Sequence, residues 1–447
     1  DVTMQRYMPN KRGYHYYSSP FNGAPITEFT DELGTIITGD PYVNNDTTHT
    51  VTPFPNFFIY DETPPYTMSI GWTGASSTLE TMRGYCINFG SSTAAITTDV
   101  TGVVNNGPLS YGVTRTTSTH PSADGWNLVG NPYPSPINWQ ASGWTKTNIS
   151  NGIYYFKPNA QYTGTYSSFV NGIGVNGGSG IISSMQGFLI RATANGTLGV
   201  TNSVRVNNLT TTFYKAQQVI PLLRLKGYPS ANQSYGDETV IYFDSLATSW
   251  FDNDMDAYKM MNNDPNYPNI FTKDSSNSTL SIDALPPLTN MDVVIPLGYV
   301  TKTSGSFKIK ATEILNFDPT VHIYLEDNST STSQDLTINP EYTFNITANE
   351  PLYRFFIRFS PTIITEIPEN TSTYIDAWSS GKDIYISCNT SKQQQLEVSV
   401  YDMLGRKIIY QQQDGSGMLH YTLEKPGCYV VDVVSGNKTY QKKVIIM

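Results

Sequence analysis

The sequence is poor in charge and contains no long hydrophobic run. Charged residues make up 14% of its 447 residues, whereas ordinary domains contain roughly 25%. No apolar stretch approaches the roughly 18 residues that a membrane-spanning helix needs. We therefore expect no transmembrane segment in the chain itself, and its abundant Tyr, Thr, Ser, Asn and Gly are typical of extracellular β-proteins.

Basic residues are too few for a protein that binds nucleic acid. Lys and Arg number 27 against 37 Asp and Glu, which gives a formal net charge of -10. Phosphate contacts require clustered Lys and Arg, and the sequence contains no such cluster. We therefore expect no nucleic acid among the partners.

Cysteine is scarce as well. Three cysteines exclude a disulfide-dense scaffold. Cys86 lies in an alternating apolar stretch and is predicted to be a buried thiol rather than a nucleophile. Cys388 and Cys428 both lie on predicted strands near the C-terminus. Two interpretations stay open for them: one disulfide formed in an oxidising compartment, or two buried free thiols.

Sequence motifs for catalysis and zinc binding are missing. The five histidines are scattered singly, without the paired spacing of metal ligands. There is no GxSxG nucleophile elbow and no GxxxxGK[ST] phosphate loop. We therefore predict no catalytic residues and a protein that is not an enzyme.

An acidic run is the candidate metal site. Asp252, Asp254 and Asp256 occupy alternate positions, as carboxylates do in calcium loops. An EF-hand loop, however, would need Gly in place of Ala257 and Glu in place of Asn263. The run is either a surface calcium site that stabilises a loop or a solvated acidic loop, and no other cofactor is predicted.

What the sequence does contain is a succession of short strand patterns separated by Gly, Pro and Asn. They predict an N-terminal β-rich module at residues 1–208 and a second β-sandwich module at residues 209–361. A polar linker follows at 362–373, and a C-terminal domain occupies residues 374–447. The predicted fold class is all-β: two β-sandwich modules followed by a small immunoglobulin-like antiparallel β-sandwich.

The C-terminal domain has the clearest strand pattern. Leu396, Val398 and Val400 alternate with Glu397 and other residues of the opposite face, which is typical of a half-buried strand. Gly405 breaks this run where a hairpin must reverse, because glycine adopts positive φ without strain. Further alternating runs and turns towards the C-terminus complete the pattern of an antiparallel sandwich.

The same region resembles a known sorting signal. VYDMLGR at 400–406, GCYVV at 427–431 and KKV at 442–444 are similar to the C-terminal sorting domain of proteins exported by the type IX secretion system of Bacteroidota. An ordinary immunoglobulin-like module is the alternative interpretation. On this resemblance, we expect the sorting signal to comprise Met403, Leu404, Gly405, Arg406, Lys407, Gly427, Tyr429, Lys442, Lys443, Val444, Ile445, Ile446 and Met447.

The resemblance also implies partners and processing. The expected partners are the outer-membrane translocon, the shuttle protein and the sortase of that system. The sortase would remove the terminal domain and join the cargo to surface lipopolysaccharide. The cut would fall in the linker, around Thr371, Ser372 and Thr373.

Two upstream stretches resemble modules of large Bacteroidota surface proteins. Residues 5–20 are similar to a QRYxPxxRxYxxxSSP pattern, and residues 125–139 (GWNLVGNPYPSPINW) are similar to GWNLIGNPYPSxIDW. Trp126 and Trp139 in the second stretch offer large apolar area, which favours a structural role. An aromatic platform that stacks on sugars is the alternative.

These observations predict an exported, outer-membrane-associated cell-surface protein of a Gram-negative Bacteroidota bacterium. Its terminal domain would be the secretion and sorting signal, and its cargo modules would be structural or adhesive. The alternatives are a polysaccharide-binding adhesin with glycan partners and the non-catalytic C-terminal part of a larger secreted enzyme. Because residues 1–6 contain no secretion signal, we also expect a fragment or a processed form.

Overall fold

A computed structural model of the chain describes most of its residues. The predicted linker at 362–373, with Thr371, Ser372 and Thr373, lies outside the described residues, as does Met447. The described ranges are 1–38, 55–63, 71–75, 77–206, 220–289, 291–348, 354–361, 374–380, 382–389, 395–414, 417–435 and 438–446.

The N-terminal module is built from short strands with little helix. Its helical elements in the described residues are 3-10 turns at Ile26–Phe29 and Asn202–Val204 and a single α-helical turn, α1, at Thr30–Leu33. Its strands are β1 Val2–Met8, β2 Tyr14–Ser18, β3 Phe57–Tyr60, β4 Trp72–Gly74, β5 Gly84–Asn88, β6 Ile96–Gly102, β7 Leu109–Val113, β8 Trp126–Gly130, β9 Ile137–Asn138, β10 Trp144–Pro158, β11 Gly164–Val170, β12 Ile173–Val175, β13 Ile181–Ile182 and β14 Gly187–Val200.

Two sheets carry most of this module. One has the order β12-β11-β10-β14-β7, with β8 paired to β14, and the other has the order β2-β5-β3-β4. Strands β1 and β6 form a separate antiparallel pair, and β9 pairs with β13. Asparagines with positive φ, among them Asn171 and Asn176, occupy the tight turns after strands β11 and β12.

The second module contains one 11-stranded sheet within the described residues. Its order is β23-β22-β25-β20-β18-β19-β16-β15-β21-β24, with β17 paired to β19. The β16–β19 pairing is parallel. The strands are β15 Leu222–Pro229, β16 Asp237–Phe243, β17 Ala257–Tyr258, β18 Asn269–Lys273, β19 Thr279–Leu285, β20 Val293–Val300, β21 Gly305–Leu315, β22 Val321–Asp327, β23 Thr332–Asp335, β24 Glu341–Ile346 and β25 Phe355–Pro361.

The C-terminal domain is a two-sheet sandwich. One sheet has the order β26-β27-β30 and the other the order β29-β28-β31-β32. Side chains on β31 alternate between buried and half-buried positions, as a strand with one face on a core requires. The strands are β26 Tyr374–Ser380, β27 Asp383–Asn389, β28 Gln395–Asp402, β29 Lys407–Asp414, β30 Gly417–Thr422, β31 Gly427–Ser435 and β32 Lys438–Ile446.

The structure confirms the all-β prediction, because the described chain is almost entirely strands and turns. None of the helices within the described ranges is long and apolar enough to cross a membrane. The module boundary predicted near residue 208 stays a prediction. One hydrophobic core nevertheless draws on both sides of that boundary, with Tyr16, Trp126, Tyr154 and Leu189 from the first module and Val240, Tyr242 and Ile282 from the second.

Candidate functional site

The predicted hairpin lies between β28 and β29 and is fixed by one carboxylate. Asp402 Oδ1 accepts hydrogen bonds from the backbone N–H groups of Leu404 (2.9 Å) and Arg406 (3.0 Å). The Arg406 side chain donates to Asp402 Oδ2 at 2.7 Å. Gly405 has φ +77°, which a residue with a Cβ would adopt only with strain. The turn is therefore a defined structure rather than a loose loop.

These hydrogen-bond donors also lower the pKa of the Asp402 carboxyl group. The backbone N–H of Arg406, followed by its side chain and the Leu404 N–H, holds the pKa of the Asp402 carboxyl below its usual value. The carboxylate is thus ionised at neutral pH and keeps its role in the turn. Asp402 was not among the residues predicted for the site, although an aspartate that can accept from the backbone N–H two residues on is a recognisable turn signal.

The hairpin presents apolar side chains to solvent next to a cation. Met403 is 64% exposed and Leu404 is 80% exposed. The Lys407 ammonium lies 4.6 Å from the ring centre of Tyr410 and 5.5 Å from that of Tyr401. Large exposed apolar side chains on a rigid turn are a common feature of recognition surfaces.

Strand register brings most of the other predicted residues within the described ranges to the same end of the sheet. Asp402 lies opposite Tyr429 on β31, and Tyr429 lies opposite Val444 on β32. Gly427 is likewise opposite Ile446. We name this end of the four-stranded sheet the hairpin end; it comprises residues 401–408, 427–430 and 443–446.

Within the hairpin end, the predicted residues divide into core and surface. Tyr429, Val444 and Ile446 are buried in the sandwich core, so their contribution to a binding surface is indirect. Ile445 and Ile408 are exposed, and Val430 on β31 is half-buried. The hairpin end therefore presents Ile408 and Ile445 to solvent in addition to Met403 and Leu404.

The last strand is already engaged inside the domain. The Lys442 ammonium pairs with Asp376 on β26. Ser379 Oγ donates to the carbonyl of Ile445 at 2.6 Å, while the Ile445 N–H donates to the same Oγ at 3.3 Å. The outer edge of β32 thus contacts β26, and the opposite edge of this sheet is β29.

The disulfide considered from the sequence is not formed in the structure. Cys428 is a free, half-buried cysteine on β31. Its neighbour Tyr429 faces the core, so Cys428 points away from the second sheet, which contains Cys388 on β27. Cys86 is also free and buried, and burial raises the pKa of its thiol above the ordinary value.

The acidic run does not gather its carboxylates into one site. Asp252 accepts from the Thr248 backbone N–H at 2.6 Å and from its hydroxyl at 3.1 Å. Asp256 accepts from the N–H groups of Asp252 and Ala284, both at 2.6 Å. Within the described ranges, no group of three or more His, Cys, Asp or Glu side chains is placed to hold a metal ion. Calcium at Asp252, Asp254 and Asp256 stays a prediction that this geometry does not favour.

Two buried carboxyls lie behind this loop. Asp283 on β19 is buried, and burial raises its pKa to about 7. Burial and then the neighbouring charge of Asp283 raise the pKa of Asp256 to about 8, although two backbone donors act in the opposite direction. Their sequence positions gave no sign of this burial, because it depends on tertiary contacts such as the Ala284 N–H to Asp256 hydrogen bond.

The tryptophans of the stretch at 125–139 are structural elements. Trp126 is buried and contacts Tyr154 edge-to-face at 4.9 Å between ring centres. Trp139 is buried and contacts Trp144 in the same manner at 4.8 Å. Neither ring is accessible for stacking on a sugar in this structure.

Comparison with known proteins gives two family matches. Residues 1–359 match a family described as a domain of unknown function, DUF8693. Residues 380–447 match the family described as the secretion system C-terminal sorting domain. A search of curated proteins finds no match.

Similar solved structures are remote. A polysaccharide lyase has 8% sequence identity and a TM-score of 0.17, with 51% of this chain and 39% of the lyase covered. A β-glucuronidase from Parabacteroides merdae has 13% identity and a TM-score of 0.13, with 31% of this chain and 28% of the enzyme covered. The chain thus spans well under half the length of these proteins.

The resemblance noted in the sequence is therefore confirmed over residues 380–447. The DUF8693 match covers most of the remaining chain, including both predicted cargo modules. The chain belongs to the DUF8693 family, and it carries the C-terminal sorting domain of a type IX secretion cargo of Bacteroidota.

Proposed function

We propose that the hairpin end of the terminal sheet is the surface by which the outer-membrane shuttle and translocon recognise this chain. The observation that carries the proposal is the convergence of the turn at 402–406 with the start of β31 and the end of β32. Exposed Met403 and Leu404 supply apolar contact area, and the Asp402 hydrogen bonds fix their positions before binding. Such preorganisation lowers the entropy cost of association.

Export can be tested by changing only the exposed side chains of the turn. The double variant Met403→Ser, Leu404→Ser leaves Asp402, Gly405 and the core intact, so the domain should fold. We expect it to accumulate in the periplasm of its host, whereas the wild-type chain reaches the cell surface. The matched control is Leu246→Ser, Ile338→Ser, which replaces two comparably exposed side chains of the cargo. Normal surface delivery of the turn variant would overturn the proposal.

We further propose that the sortase cuts the exported chain in the linker, near Thr371 to Thr373, and joins it to lipopolysaccharide. The expected result is a surface form that lacks residues after the linker and carries a heterogeneous added mass. A surface form whose intact mass includes residues 374–447 would contradict this proposal.

For the cargo, we propose a structural or adhesive role without catalysis at the cell surface. A glycan-binding role is the second candidate, because Trp250 is 54% exposed on a loop held by the Asp252–Thr248 hydrogen bonds. Exposed tryptophan on an ordered loop suits stacking on a sugar ring. Glycan-array binding that is lost in Trp250→Ala but kept in Leu246→Ala would support this candidate, and equal loss in both would count against it.

A further inference from the structure

A buried lysine–aspartate pair lies in the second module, away from the sorting domain. The Lys259 ammonium contacts Asp237 Oδ2, and the two side chains are 2% and 0% exposed. Asp237 is the first residue of β16, and Lys259 directly follows β17. Burying two charges carries a large desolvation cost, which this pair would avoid if both groups became uncharged.

The surroundings of Asp237 hold its carboxyl group rigidly. Asn176 Nδ2 donates to Oδ1 at 2.8 Å, and the Ile270 N–H donates to Oδ2 at 2.8 Å. Asn176 is itself fixed, because its N–H donates to Glu238 Oε2 at 2.9 Å and its Oδ1 accepts from the Glu238 N–H at 3.0 Å. Each oxygen of the carboxyl group therefore has a preset donor, and the carbonyl carbon lies next to the lysine nitrogen.

A further buried polar group of the second module, the Tyr299 hydroxyl, has no hydrogen-bond partner within the described residues. Burial, and next the charge of Asp237, raises the pKa of Tyr299 well above its ordinary value. The hydroxyl therefore lies within electrostatic reach of Asp237 and stays in its neutral form.

We propose that Lys259 and Asp237 form an intramolecular amide bond with loss of water. The step begins when a proton passes from the ammonium to the carboxylate that it contacts, which gives an amine and a carboxylic acid. The Nζ lone pair then attacks Cγ, and the negative charge that develops on Oδ1 faces the Asn176 donor.

The step is redox-neutral and needs no co-reactant. The N–C bond forms, a proton passes from Nζ directly to the Oδ2 hydroxyl that Nζ contacts, and the Cγ–Oδ2 bond breaks as water leaves. The Oδ1 electron pair restores the carbonyl, and the amide keeps one N–H. Fixed contact between the reactants replaces a bimolecular encounter, and exclusion of water prevents hydrolysis of the product.

Two other lysine–carboxylate pairs serve as internal controls. Lys308 contacts Glu341, and Lys442 contacts Asp376, yet all four side chains are partly exposed. Water reaches these pairs and solvates both charges. We therefore expect no amide at either pair.

The test is the intact mass of the purified full-length chain, followed by peptide mapping. The expected mass is one water below the mass of the unmodified chain. Trypsin does not cut after an acylated lysine, so residues 227–273 should appear as one peptide that lacks one water. Chymotrypsin cuts within 238–258, and its fragments with Asp237 and Lys259 should stay joined.

Two variants test whether the amide joins Lys259 and Asp237. Lys259→Arg keeps the charge but forms no amide, and it should have its full mass. Asp237→Asn should lose ammonia instead of water and reach the same final mass as the wild-type chain, because the amide is identical.

A wild-type chain of full mass that is cut normally after Lys259 overturns the proposal even if neither variant folds. A loss of water that maps to another site, such as Asp414–Gly415, overturns it as well.

Discussion

At the scale of single residues, Asp283 is a buried carboxyl group whose hydrogen bonds are incomplete among the described residues. Its Oδ2 has no hydrogen-bond partner within the described residues, and burial raises its pKa to about 7. In the unfolded chain, the same carboxyl titrates near its ordinary value of about 4. The folded state therefore binds a proton that the unfolded state releases between these two values.

The sign of the pH dependence follows from this difference. A group whose pKa is higher in the folded state than in the unfolded state stabilises the fold at pH values below its unfolded pKa. This contribution is lost as the pH rises through its folded pKa. Asp283→Asn keeps the shape and removes the titration. We expect the variant to exceed the wild type in free energy of unfolding by about 1–3 kcal/mol at pH 8 and to match it closely at pH 4. Thermal unfolding at both pH values checks this, and a variant that is less stable at pH 8 would contradict it.

At the scale of elements, the hairpin between β28 and β29 depends on Asp402. Replacing it with alanine removes acceptors for two backbone N–H groups and for Arg406. We expect amide hydrogen exchange at Leu404 and Arg406 to quicken in Asp402→Ala and surface delivery to fall. Asp383→Ala is the control, because Asp383 is another solvent-facing aspartate of this domain, paired with Thr422 and His420. Unchanged exchange in Asp402→Ala would show that the turn needs no such anchor.

The hairpin between β28 and β29 also shows how much of the structure could be predicted from the sequence. Period-2 alternation and Gly405 were enough to predict the hairpin, because both are local signals. The convergence of the hairpin with Gly427 and Ile446 depends on strand register across three strands, which a single sequence does not encode locally. The engagement of Lys442 by Asp376, on the other sheet, was missed for the same reason.

At the scale of the whole molecule, the two predicted cargo modules are bound by more than a shared core. Backbone and side-chain hydrogen bonds link them, including Tyr166 N–H to Asn262 (3.0 Å) and Tyr258 N–H to the Tyr154 hydroxyl (2.9 Å). Sequence patterns predicted the strands on each side but not this interface, since its partners are roughly a hundred residues apart. The DUF8693 match across residues 1–359 is consistent with one extended unit.

Asn176 offers a measurement of how strongly this interface stabilises the cargo. It links the first module to Asp237 and Glu238 through three hydrogen bonds. Asn148 is the matched control: it has a similar positive φ, 58° against 55°, but its side chain makes an exposed bond to Asn195 within one module. Alanine at either position incurs a comparable backbone strain of about 1 kcal/mol.

Measured in the Lys259→Arg background, which forms no amide, the difference between the two variants therefore isolates the interface. Asn176→Ala also leaves a buried oxygen of Asp237 and the N–H of Glu238 without their partner, and each unmade bond costs about 1–3 kcal/mol. We expect Asn176→Ala to lose about 2–4 kcal/mol more than Asn148→Ala in free energy of unfolding. Denaturant unfolding of the full chain, followed by tryptophan fluorescence, measures both. Trp126 lies in the core that the modules share, so its fluorescence reports the unfolding of this region. Equal losses of stability in the two variants would mean that the modules are stable independently of this contact.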